Sequence, residues 1–143
     1  MRQVVLGIFL GFILIDLAFD LDALEGRFDA PQSFYFHRNE TIPSTRMTVL
    51  LQLPLLLVLL SQLYGAVQHR TWRAFLSLVL SLGALGGGNH VMGLRAAMST
   101  ANPSLLQQQL VEVAWTHVVM LPLVVSAMFL HSCALPPVHR KQD

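Results

Sequence analysis

Four apolar stretches, each close to the length of a bilayer-crossing helix, limit what this chain can fold into. A bilayer core requires roughly 20 predominantly apolar residues per helix. Such runs occur at about residues 3–19, 48–67, 72–92 and 113–135, the third reaching towards Met98. The second and fourth are the cleanest, whereas the first is short and carries Asp16. Charged residues make up 12% of the chain, about half the share usual in a soluble domain, and mean hydropathy is +0.57. The sequence therefore predicts an all-α polytopic membrane protein. Its expected form is a four-transmembrane-helix antiparallel bundle with a long first loop, a single domain over the 143 residues. Glycosylation at Asn39-Glu40-Thr41 is set aside, because the sequon lies so close to the second span.

The first stretch has Arg2 ahead of it but no small-x-small cleavage site behind it, only the acid-rich segment Asp16 to Glu25. It is read as a retained helix rather than a cleaved leader. Arg2, Arg70, Arg73, Arg140 and Lys141 fall on one side of the spans, in very short segments. Arg27, Arg38, Arg46 and Arg95 fall on the other, mostly spread along the first loop. That density places both termini in the cytoplasm. The net charge of +1 and the lack of a basic block give nucleic acid no purchase. The single Cys133 excludes an intrachain disulfide and a thiolate-based metal site.

The connections are unequal. Gln68 to Thr71 is tight and makes a hairpin of the second and third spans, while Asp20 to Arg46 is long and contains Pro31, Pro43 and the run Phe34, Tyr35, Phe36. Such aromatics are expected at headgroup level. The third connection, Ser99 to Glu112, has the turn signal Asn102-Pro103. Gly7/Gly11 and Gly83/Gly87 have the small-xxx-small spacing that lets helices approach closely, within the chain, with helix partners or in a homo-oligomer. Gly86, Gly87 and Gly88 also precede the polar Asn89 and His90, where loosened backbone could line a cavity. No internal repeat is present, which counts against an inverted-repeat transporter.

Four spans bring the end of the first, the end of the third and the start of the fourth to one membrane face. Seven of the eight acids lie on that side, all except Asp143. Ionisable groups at membrane depth cost about 2.5–3.5 kcal/mol each on insertion scales and so face a partner or a cavity. Asp16, His90, His117 and Glu112 are the candidate catalytic groups; Asn89, Arg95 and Trp115 are the candidate substrate contacts. Asp16, Asp20, His37, Glu40, His90 and His117 have the composition of a carboxylate–imidazole site for a divalent or transition metal ion. They equally have the composition of a proton-transfer site. HExxH, paired ExxH, HxH and CxxC are all absent, so a metal site rests on assumed helix convergence.

Each residue also has a plainer explanation. A histidine in a span more often bonds a neighbouring helix than ligates a metal. Asp20, Asp22, Glu25 and Asp29 read as a solvated acidic loop. Arg95 is either the counter-ion of Asp16 or a snorkelling side chain. His69, His131 and His139 read as interfacial.

Two function classes follow. The first is a membrane-embedded enzyme acting on a lipophilic small molecule by metal-assisted oxidation or proton-transfer isomerisation. The second is a non-catalytic subunit or assembly factor of a larger membrane complex; a channel or transporter ranks third. Asp16, His90 and His117 are expected to meet in one polar pocket. If any of the three points to lipid or water instead, the enzyme reading gives way to the subunit reading.

Overall fold

The computed structural model describes residues 2–41, 44–69, 71–98 and 102–134, with no strand among them. Five helices follow in order: α1 (Arg2–Leu24), α2 (Asp29–Thr41), α3 (Ser44–His69), α4 (Trp72–Met98) and α5 (Pro103–Ala134). The fourth expected span ends at Leu135, and Arg70, Arg140 and Lys141 of the orientation argument lie with it outside the described residues.

Three helices are long and apolar enough to cross a membrane: Val4–Leu24, Trp72–Met98 and Pro103–Leu130, with mean hydropathies of 2.4, 1.3 and 2.0. In α3 a shorter apolar stretch covers Leu53–Gln68. Only 28–33% of the three spans' most apolar windows is buried. Ile8, Ile15, Leu57, Leu60, Phe75, Val79, Val119 and Phe129 all point outward. So large an exposed apolar surface is foreign to a soluble monomer and natural against lipid, where helices satisfy their own backbone groups. The surface is that of a membrane protein.

The helix ends are written in local chemistry. α1 closes on Gly26, whose φ of 80° is open to glycine. Gly26 N–H donates to the Ala23 carbonyl at 3.1 Å and Arg27 N–H to the Asp22 carbonyl at 2.8 Å, the paired bonds of a Schellman end. α2 begins Asp29-Ala30-Pro31, where a proline without N–H is harmless in the first turn. Asn102 caps α5, its side-chain oxygen accepting from Leu105 N–H at 2.9 Å, with Pro103 at the first helical position.

These signals correct the expected connections. The long first loop holds a helix, α2; α1 continues five residues past Phe19; and the third connection is helical from Pro103 onward. What reads in the sequence as a turn at Asn102-Pro103 is a helix N-terminus.

α5 packs on α4 and α1, α3 packs on α4 and α1, and α2 lies against α1. α4 and α5 run antiparallel. Ser77 donates to the Ala127 carbonyl at 3.0 Å, Gly83 faces Leu123, Gly87 faces Met120, and His90 meets Glu112. A Cβ built on Gly87 would sit 2.6 Å from Met120 Cγ and Sδ, whereas Gly7 and Gly11 have nothing within 4 Å. The glycine at 87 is thus used inside the chain, and the first pair is open.

Two apolar clusters stack along this packing. One contains Leu6, Phe9, Ile13, Ala84, Met120 and Val124. The other contains Ala23, Tyr35, Val91, Leu110 and Val113. On α1 and α5, Asp16, Asp20 and His117 fall between the two.

Candidate functional site

The polar layer is assembled from four helices. Asp16 and Asp20, one turn apart on α1, share a face, and His117 of α5 reaches both. Its Nδ1 lies 2.5 Å from Asp20 Oδ2 and its Nε2 3.8 Å from Asp16 Oδ2. The first is a short charge-assisted contact; the second is an ion-pair distance beyond hydrogen-bond reach.

α2 supplies the other partners. The Tyr35 hydroxyl donates to Asp20 Oδ1 at 2.7 Å, and the Arg38 guanidinium donates to Asp16 Oδ1. The guanidinium also lies 5.6 Å from the Phe12 ring centroid and 5.5 Å from that of Phe34. Phe34 stacks on Phe19, with centroids 4.0 Å apart, which pins α2 to α1. From α4, Arg95 lies 5.7 Å from the Tyr35 ring centroid. Asp20 and Arg95 are 0% exposed, Tyr35 1%, His117 4% and Asp16 5%. Burial pushes the Tyr35 phenol far above its ordinary pKa, and the charges of Asp20 and Asp16 push it the same way.

With both carboxylates ionised and both guanidiniums charged, the centre is neutral when His117 is neutral. Buried charges persist only when paired and hydrogen-bonded. Here each carboxylate has at least two polar partners from other helices. The arrangement can hold a proton on either side of the imidazole, and it ties α1, α2 and α5 together.

The remaining candidates fall elsewhere. His90 Nε2 lies 2.9 Å from Glu112 Oε1, and their side chains are 50% and 47% exposed, so this pair faces outward from the α4–α5 seam. Asn89 and Trp115 are exposed as well. His37 and Glu40 are on the outer surface of α2. No group of three His, Cys, Asp or Glu side chains among the described residues is placed to hold a metal ion. This corrects the six-residue metal set. His37, Glu40 and His90 turn away from the centre, and Arg38 and Tyr35 take up carboxylate oxygens that the ion would need.

No protein-family model, curated protein or solved structure matches the chain.

Sequence reasoning missed Tyr35 and Arg38 as members of the centre. Once α2 is taken as a helix, they are three apart and share a face with Pro31 and Phe34. Two further corrections concern charge. Asp20 belongs to no solvated loop, being fully buried, and Arg95 does not snorkel but lies wholly inside. Asp22 and Glu25 do stay near the surface, where both pair with Arg27.

Proposed function

We propose that the chain is a four-span integral membrane protein, α1, α3, α4 and α5 crossing and α2 lying at one face, that acts as a non-catalytic subunit or assembly factor of a larger membrane complex. The observation that carries this reading is the outward-facing His90–Glu112 pair. Of the three deep groups expected to converge, one lies on the lateral surface. The centre that does form is buried and both its carboxylates have partners within the chain, so it needs no substrate to complete it. A polar pair on the side of a span is accommodated best by another polar helix.

The loop-side arginines Arg27, Arg38 and Arg95 have partners in the folded chain. Arg38 and Arg95 are drawn into the centre, and Arg27 is held by Asp22 and Glu25. In this reading the cations crowded into the very short segments of the other face, Arg2, Arg70, Arg73, Arg140 and Lys141, put both termini on the cytoplasmic side.

Photo-crosslinking from a benzophenone residue at Trp115 tests the subunit reading in native membranes. One discrete adduct, lost in a His90→Ala/Glu112→Gln background, is expected. A chain that yields no adduct and extracts in mild detergent at its monomer mass overturns it.

One observation favours the embedded-enzyme reading. His117 stands between two carboxylates, an arrangement suited to proton transfer on a lipophilic small molecule. Such a compound should then co-purify with the native chain and be absent from a folded His117→Gln variant. Identical extracts from both would remove that reading.

A further inference from the structure

We propose that Asp16 and Phe12 of α1 form a binding site for the head of a cationic amphiphile, an ammonium or guanidinium group, which the chain fills with its own Arg38. The inference goes beyond the subunit reading and does not depend on it.

The chemistry that recognises an organic cation is a carboxylate beside an aromatic face in a place shielded from water. Phe12 and Asp16 are four residues apart on α1 and so lie on one side of it. The Arg38 guanidinium touches both, ion-paired to Asp16 Oδ1 and 5.6 Å from the Phe12 centroid. Nothing in this recognition requires the cation to be covalently part of the chain.

Charge arithmetic points the same way. Without α2 the buried centre keeps Asp16, Asp20 and His117, with Arg95 as its one guanidinium. With a neutral imidazole that leaves one negative charge uncompensated, which a single cation restores. An anion would face both carboxylates, and a neutral head would leave Asp16 ionised at membrane depth.

The route is set by where Arg38 sits. Its side chain is 11% exposed, the most exposed in the centre, against 7% for Asp16 and none for Asp20. α2 is held by the Tyr35–Asp20 bond, the Arg38–Asp16 pair and the Phe34–Phe19 stack, and by Tyr35 in the second apolar cluster; Arg38 lies outside that cluster. Gly26, in the turn that joins the two helices, adopts a positive φ. Outward rotation of α2 withdraws Arg38 and opens the site from the side of the first helix. Exposed Ile8 and Ile15, which flank the Phe12–Asp16 face of α1, offer apolar surface to the ligand's tail.

The test is titration of dodecylammonium into the full chain in dodecyl maltoside micelles, with dodecanol as the uncharged control. Arg38→Gln should bind dodecylammonium at least about tenfold more tightly than the native chain. Adding Asp16→Asn to it should abolish that gain, and dodecanol should distinguish none of the three. Equal binding by native and Arg38→Gln chains, or a gain that survives Asp16→Asn, overturns the proposal. If Arg38→Gln does not fold, Tyr35→Phe decides. It loosens α2 while leaving Phe12, Asp16 and Arg38 in place, and should still raise affinity several-fold; no change there overturns the proposal equally. Phosphatidylethanolamine in the same micelles separates two sources of the cation. Competition with dodecylammonium identifies a lipid amine, and its lack identifies a free amphiphile, either result upholding the site.

Discussion

The imidazole of His117 meets the carboxylate of Asp20 at 2.5 Å across 97 positions of sequence, and both side chains are shut away from the surface. The contact joins the last helix to the first beside Tyr35 of α2, which bonds the same carboxylate. It makes a polar layer between two apolar clusters, which are held by apolar side chains and close glycine packing.

Removing the imidazole should therefore be felt in all three helices that the layer ties together. His117→Ala leaves Asp20 with Tyr35 as its remaining close partner, and a buried carboxylate that loses a hydrogen-bond partner costs about 1–3 kcal/mol or more. Membrane insertion should be unaffected, because the substitution makes the helix less polar. Reversible unfolding in mixed micelles measures the loss, and a change below about 1 kcal/mol would mean that the contact carries little of the fold.

Tyr35 gives a pH dependence with a definite sign. Its phenol is held protonated in the folded chain, whereas the unfolded chain releases that proton near pH 10. Above that point the folded state binds more protons than the unfolded one, so this group costs no stability below about pH 10 and destabilises progressively above it. Tyr35→Phe should lose about 1–3 kcal/mol at neutral pH, through the unpaired Asp20 oxygen, and should flatten this part of the alkaline fall. Stability measured from pH 8 to 11 in both chains checks the sign.

Gly87 and Gly86 should part company. A side chain at 87 strikes Met120 in mid-chain, while one at 86 meets nothing within 4 Å. Gly87→Leu is expected to cost about 1–3 kcal/mol or more through overpacking, with no compensating gain from burial in lipid. Gly86→Leu should be close to neutral. Thermal unfolding in detergent compares them, and equal melting temperatures would show that the α4–α5 seam yields freely.

The topology has a direct reading in membrane vesicles. With Cys133 replaced by Ser, single cysteines at Gln32 and at Gln68 should label from opposite sides with an impermeant maleimide. Labelling of both from the same side rules out four spans with α2 on the face opposite the termini.

His90→Ala/Glu112→Gln should behave unlike the buried variants. A half-exposed ion pair is worth about 1 kcal/mol or less, so the isolated chain should stay folded. What should change is the adduct formed from position 115, and its persistence would place the partner surface elsewhere.

The helices and their environment were legible from sequence because the bilayer leaves little choice. A long apolar run must satisfy its own backbone hydrogen bonds, and helix is the simplest way to do so. Asp16 and His117 stood out for the same reason, as ionisable groups where water is scarce. α2 was hidden, since a short, mostly polar helix shows neither a long apolar run nor a clean period. Only its Asp29-Ala30-Pro31 start gave it away, and with α2 went Tyr35 and Arg38. The separation of His90 from His117 was beyond any reading of spacing. Both lie in apolar helices near the same end, and which one turns inward depends on how α4 and α5 are rotated about their axes. That rotation is fixed where Gly87 admits Met120, a contact between residues 33 apart in the chain. Composition determined that the chain forms apolar helices suited to lipid; packing decided which of its charges would meet.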